Sequence, residues 1–588
     1  MKKFLLIAGI LLTGILPSQT PQIPFTNQTT LLPSSVVHSG NSIGVCDMNG
    51  DGKDDIIRAD NNSTMLIDYQ QASNANFTES AFANYLDDPW GMCVGDVNND
   101  GMNDVLWGDD YVFVYLWNGT DYSTGGNATT AASAPTTMFM QGANFADINN
   151  DGKLDVFACN DDLMPHLYTG DGLGGWTTNQ GIMPLATVPS SDNSGNYASI
   201  WSDINNDNLP DLFITHCRQG VSSSLDARRI DQIFINNGNG TYTQDVTNWT
   251  NLRDGEQGWS TAFGDIDNDG DNDAFVLNYS ANSTLDINNG SGVFTNMMSG
   301  SGIASTTSIF GENATFQDFN NDGFLDLFIS GDHHLLYIGH GDGTFTLDAN
   351  AFVYNGFQMT AHAIGDLNGD GFLDLYASYC DIYQWPSNRA DRLWMNDAPN
   401  NGNTNHWIKF FLQGVQSNRN GIGAIVKIYG PWGSQQREVR SGEAYGIQNS
   451  FTVHFGLGQN TSIDSAVIYW PSGIVDHLAT TTSNQTIQLT EGSSPVSVHA
   501  VAQEELGMLI TPNPVTSDAY IRLSHFQETG LKNLTLNIYD VNGKLVYAEN
   551  NLQSSIIRVS KEQLSAGMYF VEVMNGEQRL ASKKMVVE

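Results

Sequence analysis

The stretch FADINNDGKLDVFACN, Phe145 to Asn160, decides the fold. Its centre, DINNDGKLD from Asp147 to Asp155, places side-chain oxygens at positions 1, 3, 5 and 9 and a glycine at position 6. A hard cation such as calcium takes six to eight oxygens, and alternate side chains converge on one point when the chain turns sharply at position 6. Asp147, Asn149, Asp151 and Asp155 are therefore candidate ligands, with the Lys153 carbonyl as a fifth. Six more strings share the pattern, at intervals of 48 to 62 residues: DMNGDGKDD from Asp47, DVNNDGMND from Asp96, DINNDNLPD from Asp203, DIDNDGDND from Asp265, DFNNDGFLD from Asp318 and DLNGDGFLD from Asp366.

The same positions give Asp47, Asn49, Asp51 and Asp55 in loop one; Asp96, Asn98, Asp100 and Asp104 in loop two; and Asp203, Asn205, Asp207 and Asp211 in loop four. Loop five contributes Asp265, Asp267, Asp269 and Asp273, loop six Asp318, Asn320, Asp322 and Asp326, and loop seven Asp366, Asn368, Asp370 and Asp374. Up to seven Ca2+ ions are expected. Loop four is the weakest copy, because Asn208 replaces the glycine; asparagine still tolerates the left-handed conformation. An EF-hand would need a glutamate at position 12 and flanking helices. Here short β-type runs follow instead, DVLWG, DVFAC, DLFIT, DLFIS and DLYAS. Each loop is thus expected to tip a β-hairpin.

Repeats of this period built of short strands predict an all-β fold, a seven-bladed propeller of four-stranded sheets. INNGNGTY from Ile235, INNGSGVF from Ile287 and IGHGDGTF from Ile338 mark a second hairpin within a blade. Charge supports the partition: residues 20–402 hold 49 acids and 9 Lys or Arg, residues 403–492 hold 5 of each, and residues 508–588 hold 8 of each. Without a cation the clustered carboxylates repel one another. Such acidity excludes nucleic acid as a partner, which demands basic surface.

Lys2 and Lys3 before the apolar run Phe4 to Leu16 read as a secretory signal over residues 1–19. The run is too short to span a bilayer, so no transmembrane anchor is expected in the mature chain. Five cysteines in a chain of 588 residues are no disulfide framework. Buried thiols are expected, with Cys46 to Cys380 as the one pairing that ring closure would allow.

The seven loops resemble the FG-GAP/VCBS repeats of the integrin α-chain head. That resemblance implies calcium hairpins on one propeller face and partners on the other. From Asn405 the run NHWIKFFLQGVQSNRNGIGAIVKIY, then SGEAYGIQNSFTVHFGLG from Ser441 and VIYWPSG from Val467, is similar to the ASPIC/UnbV domain of proteins like cartilage acidic protein. Its apolar alternation predicts a compact β-domain over 403–492. Asn405, His406, Trp407, Arg419 and Trp470 to Gly473 are candidates for docking that domain onto the propeller, or for a ligand site. Residues 493–507 read as a linker. TPNPV from Thr511, LNIYDVNGKLV from Leu536, LSAGMYFVEV from Leu564 and KKMVVE from Lys583 resemble the type A C-terminal sorting domain of the Bacteroidetes type IX secretion system. The resemblance implies export by that machinery, to the cell surface or beyond; the residues alone predict a small β-sandwich over 508–588.

On the face opposite the loops, Trp90, Tyr197 and Trp259 stand six residues before their loops and His362 stands four before Asp366. They are core aromatics or a platform for sugar rings. Arg218, Arg228 and Arg229 in blade four, with Arg389 and Arg392 in blade seven, are ion-paired or capture an anion. No GxSxG, HExxH or P-loop is present. The expectation is a secreted or cell-surface protein that recognises an extracellular glycan or protein by adhesion, not an enzyme. The alternative is a calcium-dependent polysaccharide lyase, with His362, His216 or Tyr379 near its chemistry.

Overall fold

Each aspartate loop joins two antiparallel strands in one fixed register: the residue before position 1 pairs with position 9, as in Cys46 with Asp55, Gly95 with Asp104 and Ala146 with Asp155. The same holds for Ser202 with Asp211, Gly264 with Asp273, Gln317 with Asp326 and Gly365 with Asp374. In this computed structural model the described residues are 23–60, 64–71, 76–82, 90–124, 138–246, 252–279, 282–304, 311–353, 356–380, 387–444, 446–493, 508–511, 513–516, 518–523, 534–540, 544–552, 554–575 and 578–587. The signal segment, most of the linker, and the Asn542-Gly543 turn lie outside them.

Seven sheets carry the seven loops. Blade three is typical, with strands Met140–Ala146, Asp155–Asn160, His166–Gly170 and Trp176–Thr178 in sequential order. The inner strands, Ile43–Cys46, Gly91–Gly95, Met140–Ala146, Asn196–Ser202, Gly258–Gly264, Gly311–Gln317 and Gln358–Gly365, touch in succession, and the last touches the first. Phe25–Asn27 pairs with Arg392–Asn396 as the outer strand of blade seven. The chain's beginning thereby closes the ring and removes the free edges that an open array would leave. The inner and second strands are buried throughout in blades two to five, as expected of sheets covered on both faces.

Residues 406–490 fold into two further sheets. One orders Val453–Gly458, His406–Gln413 and Thr486–Thr490; the other orders Gly433–Glu438, Ile425–Gly430, Ser462–Tyr469 and Val475–Thr482. The ring and this domain form one compact unit, ending at Ser493. They share a hydrophobic core in which Val97, Phe145 and Leu154 of the ring belong with Leu412, Ile422 and Phe451 of the domain. The sequence boundary at residue 402 is therefore a change of architecture within one body.

The second unit begins at Ser494. Its two sheets hold Met508–Thr511, Ala519–Leu523 and Ile556–Val559, and Leu545–Asn550, Leu534–Asp540, Gly567–Asn575 and Gln578–Val587. Ile521, Leu536, Ile538, Val571, Val573 and Met585 fill the core. All five cysteines are buried and none is in a disulfide, so the Cys46 to Cys380 pairing does not form. No helix among the described residues is long and apolar enough to cross a membrane.

Candidate functional site: the aspartate-loop face

Two residues per loop, not one, take the left-handed conformation. Position 6 does so at Gly52, Gly101, Gly152, Gly270, Gly323 and Gly371, and Asn208 replaces glycine there with φ 66°. Position 4 does so as well, at Gly50, Asn99, Asn150, Asn206, Asn268, Asn321 and Gly369. Only Asn and Gly occupy position 4 in the seven strings, a signal in the sequence that concentrating on position 6 passes over. These two reversals fold six loops so that the first Asp accepts the N–H of position 6 at 2.8 to 2.9 Å.

Position 9 has a second role. Asp55, Asp104, Asp155, Asp211, Asp273, Asp326 and Asp374 are all fully buried. One oxygen of each accepts the N–H of position 2 and the other an N–H from the third strand or just beyond it, at 2.7 to 3.2 Å. This carboxylate pins the loop to its blade. Burial drives its pKa up, to about 7 at Asp155, about 8 at Asp55 and Asp104, and about 9 at Asp273. A positive charge nearby favours the ionised form of such groups.

The donor set fits calcium, being all oxygen and mostly anionic. In loop five Asp265, Asp267 and Asp269 bring one carboxylate oxygen each within 4.8 Å of one another. Both oxygens of Asp265 are buried without a hydrogen-bond partner, as a ligand awaiting an ion would be. In the other loops position 3 is asparagine, and its oxygen accepts the N–H of position 5, as at Asp151 and Asp370. Calcium there would draw on Asp, Asn and Asp at positions 1, 3 and 5 and on Asp at 9.

The β-domain of residues 406–490 sits on this face. Its five Lys and Arg all lie against it. Lys409 bonds Asp366 at 2.6 Å, Arg440 donates to the Phe263 carbonyl at 3.0 Å, and Lys427 reaches the Gly270 carbonyl at 3.5 Å. Arg419 lines a cleft with Asp47, Asp96, Gly50 and Gly101, and Arg437 stabilises the Asp265 and Asp318 carboxylates electrostatically. Glu438 accepts from Ser202 at 2.9 Å, the Asp203 N–H at 3.0 Å and Asn272 at 2.7 Å. Asn405 donates to the Asn320 carbonyl at 2.9 Å, and the Trp407 ring lies over Gly371 so closely that a Cβ there would collide with it. Trp470 instead bonds Asp476 inside the domain.

Between Ser441 and Ser450 the domain enters the ring. Ile447 and Gln448 pair in parallel with Ile43 and Gly44 of the inner strand of blade one. Asn144 donates to the Ser441 and Gly442 carbonyls, Ser441 to the Val94 carbonyl and the Val94 N–H to Gln448. The Ile364 N–H donates to Asn449, so blades one, two, three and seven all grip the insertion.

On the opposite face the candidate ligand residues divide. Tyr197 and Trp259 are brought together, buried and stacked with centroids 6.1 Å apart, and Trp259 donates to Cys217 Sγ at 3.0 Å. Tyr279, which sequence reasoning missed, stacks on Trp259 at 4.4 Å and is 45% exposed. Trp90 lies elsewhere, packed on Phe139 and bonded to Gln141. His362 is fully buried and bonded to Thr315 at 2.8 Å. Arg218 pairs with Asp161 and Asp162, Arg228 with Asp226 and Asp192, and Arg229 with Glu256.

A ring of sheets whose hairpins present aspartate loops on one face is an FG-GAP-type propeller. The chain belongs to the FG-GAP-like repeat family, whose model matches residues 47–107, 96–158, 147–214, 203–276, 265–329 and 318–377. The model "ASPIC and UnbV" matches residues 414–496, and "Secretion system C-terminal sorting domain" matches 509–588, which marks the chain for type IX export. No curated protein matches the chain. Three solved structures resemble it at low identity. A Burkholderia pseudomallei lectin, BP39L, is 13% identical with 62% of this chain and 97% of that one covered, TM-score 0.42. An Agrocybe aegerita lectin that recognises non-reducing terminal N-acetylglucosamine is 15% identical, with 53% and 81% covered, TM-score 0.39. BBS1N in complex with ARL6DN is 9% identical, with 64% and 98% covered, TM-score 0.41. At this distance the likenesses carry no argument about ligand.

Proposed function

We propose that this chain is an exported, calcium-stiffened propeller that binds an extracellular glycan or protein non-covalently through the face opposite its aspartate loops. The observation that carries the proposal is that the loop face and the adjoining channel are already occupied by residues of the same chain. The loops then serve as rigid joints, holding blade to blade and ring to domain. The far face offers the Tyr279 ring, stacked on Trp259, as a contact surface. Non-covalent binding is preferred to lyase chemistry because His216, His362 and Tyr379 are each fully buried, beyond the reach of a polymer.

The test is retention of the full chain on plant, algal and host polysaccharides, in calcium and in EDTA, with eluted material checked for shortening. Calcium-dependent retention of intact polymer supports a glycan-binding protein. Shortened products with unsaturated ends would establish the lyase instead, and no retention on any polymer would direct the search to a protein partner.

A further inference from the structure

Loop seven differs from the other six in what meets its first aspartate. In loops one, two, three, four and six the second carboxylate oxygen of that residue accepts one backbone N–H, from position 6. In loop seven Asp366 Oδ2 accepts the Gly371 N–H at 2.9 Å and also Lys409 Nζ at 2.6 Å. Its Oδ1 is engaged as well, by the N–H groups of Gly369 and Asp370. Among the described residues it is the one first-position aspartate with a Lys or Arg in direct contact.

The contact is built. Asp366 and Lys409 are 1% and 12% exposed as side chains, and the ammonium lies 4.9 Å from the Trp407 ring centroid. Trp407 itself packs on Gly371 of the same loop. Asp54 of loop one faces the pair: it accepts the Asp366 N–H at 2.9 Å and the Ser450 hydroxyl at 2.5 Å, and Lys409 stabilises its charge.

We propose that Lys409 is a built-in counter-ion for loop seven, so that calcium binds there more weakly than in any other loop. This rests on the reading of the loops as calcium sites. A monovalent cation fixed on a first-position carboxylate repels an incoming divalent ion at short range, and the low-dielectric surroundings amplify the repulsion. It also keeps the loop folded when calcium is scarce. Loop seven carries blade seven, which holds the N-terminal strand, so ring closure persists when calcium leaves the other loops.

The experiment titrates calcium into the chelator-stripped full chain by calorimetry and melts the same samples in EDTA and in saturating calcium. Lys409→Met should tighten one weak site by at least about tenfold. It should lower the melting point relative to wild type in EDTA, with the gap closing in calcium. Lys409→Arg, which keeps the charge, should track wild type, and Asp366→Asn should delete a weak site while sparing the tight ones. An isotherm for Lys409→Met that superimposes on wild type, or a melting gap equal in both conditions, overturns the proposal alone. A flat isotherm for the wild type overturns the calcium reading with it. If Lys409→Met does not fold, Lys409→Gln and the Asp366→Asn isotherm decide: loss of a tight site in the latter is equally fatal.

Discussion

The two faces of the ring handle the same acidity differently. On the far face the excess is settled within the ring: Arg218, Arg228 and Arg229 each meet carboxylates within blade four or on the neighbouring blades three and five. The partly exposed pairs of Arg228 contribute about 0 to 1 kcal/mol each, and the pairing of all three arginines leaves little positive potential to attract an anion. On the loop face the carboxylates converge too tightly for one another. Their charge is met by an added domain, four of whose five basic residues, Lys409, Arg419, Lys427 and Arg437, lie at the loops. On the proposed reading, the loop face carries stability and the far face recognition.

Calcium removal should separate the faces most sharply. Seven sites of roughly 10⁻⁴ M affinity in millimolar calcium together stabilise the folded state by on the order of 10 kcal/mol. Scanning calorimetry of the full chain in EDTA should therefore show the transition of the first unit falling steeply while that of the sorting unit stays in place. An unmoved first transition would reduce the loops to solvated turns. Next comes Glu438→Ala. It strips Ser202, the Asp203 N–H, Asn272 and Arg440 of their shared acceptor, and breaking a buried charged network costs about 3 to 5 kcal/mol. Limited proteolysis should then cut between ring and domain. Equal resistance of variant and wild type would show that docking rests on the apolar contacts alone.

How much of this was legible beforehand depends on range. The loops announce themselves because their ligands lie within nine residues, and local spacing is what a sequence records directly. The position-4 turn was equally local and visible, since Asn or Gly stands there without exception. The docking was half visible: five basic residues following so acidic a ring point to a complementary surface, but Lys409 meeting Asp366 depends on tertiary contact across 43 residues. The Ser441–Ser450 insertion had no sequence signal, because Ile447 pairing with Ile43 is a contact between elements some 400 residues apart. The far-face aromatics went the other way. Spacing grouped Trp90 and His362 with Tyr197 and Trp259, and packing separated them, since the start of each inner strand meets a different neighbour.

Acid offers a smaller handle on the ring's interior. Burial lowers the pKa of His216 to about 4 and of His362 to about 3, so both stay neutral in the folded protein while the unfolded chain titrates near 6.5. A group whose folded pKa is depressed in this way stabilises above the unfolded value and loses that contribution as pH falls through the folded one. At most this amounts to about 3 kcal/mol for His216 and about 5 kcal/mol for His362. His216→Gln should flatten the loss of stability between pH 6.5 and 4 relative to wild type. An unchanged slope in urea titrations would place the acid sensitivity elsewhere.

The smallest effect on stability should accompany the largest on recognition. Tyr279→Ala removes a ring that is 45% exposed and stacked on Trp259, and such aromatic pairs contribute about 0.5 to 1.5 kcal/mol. Trp259→Ala, by contrast, empties a buried site and costs about 3 to 5 kcal/mol, so its loss of binding would be confounded with unfolding. Tyr279 is therefore the residue through which the far-face assignment can be tested without disturbing the fold. If binding to a retained polysaccharide or protein falls at least tenfold in Tyr279→Ala while the calcium isotherm and melting point hold, recognition and rigidity occupy opposite faces. If binding persists undiminished in Tyr279→Ala while the melting point holds, the ligand is not read through that ring, and the far-face assignment falls.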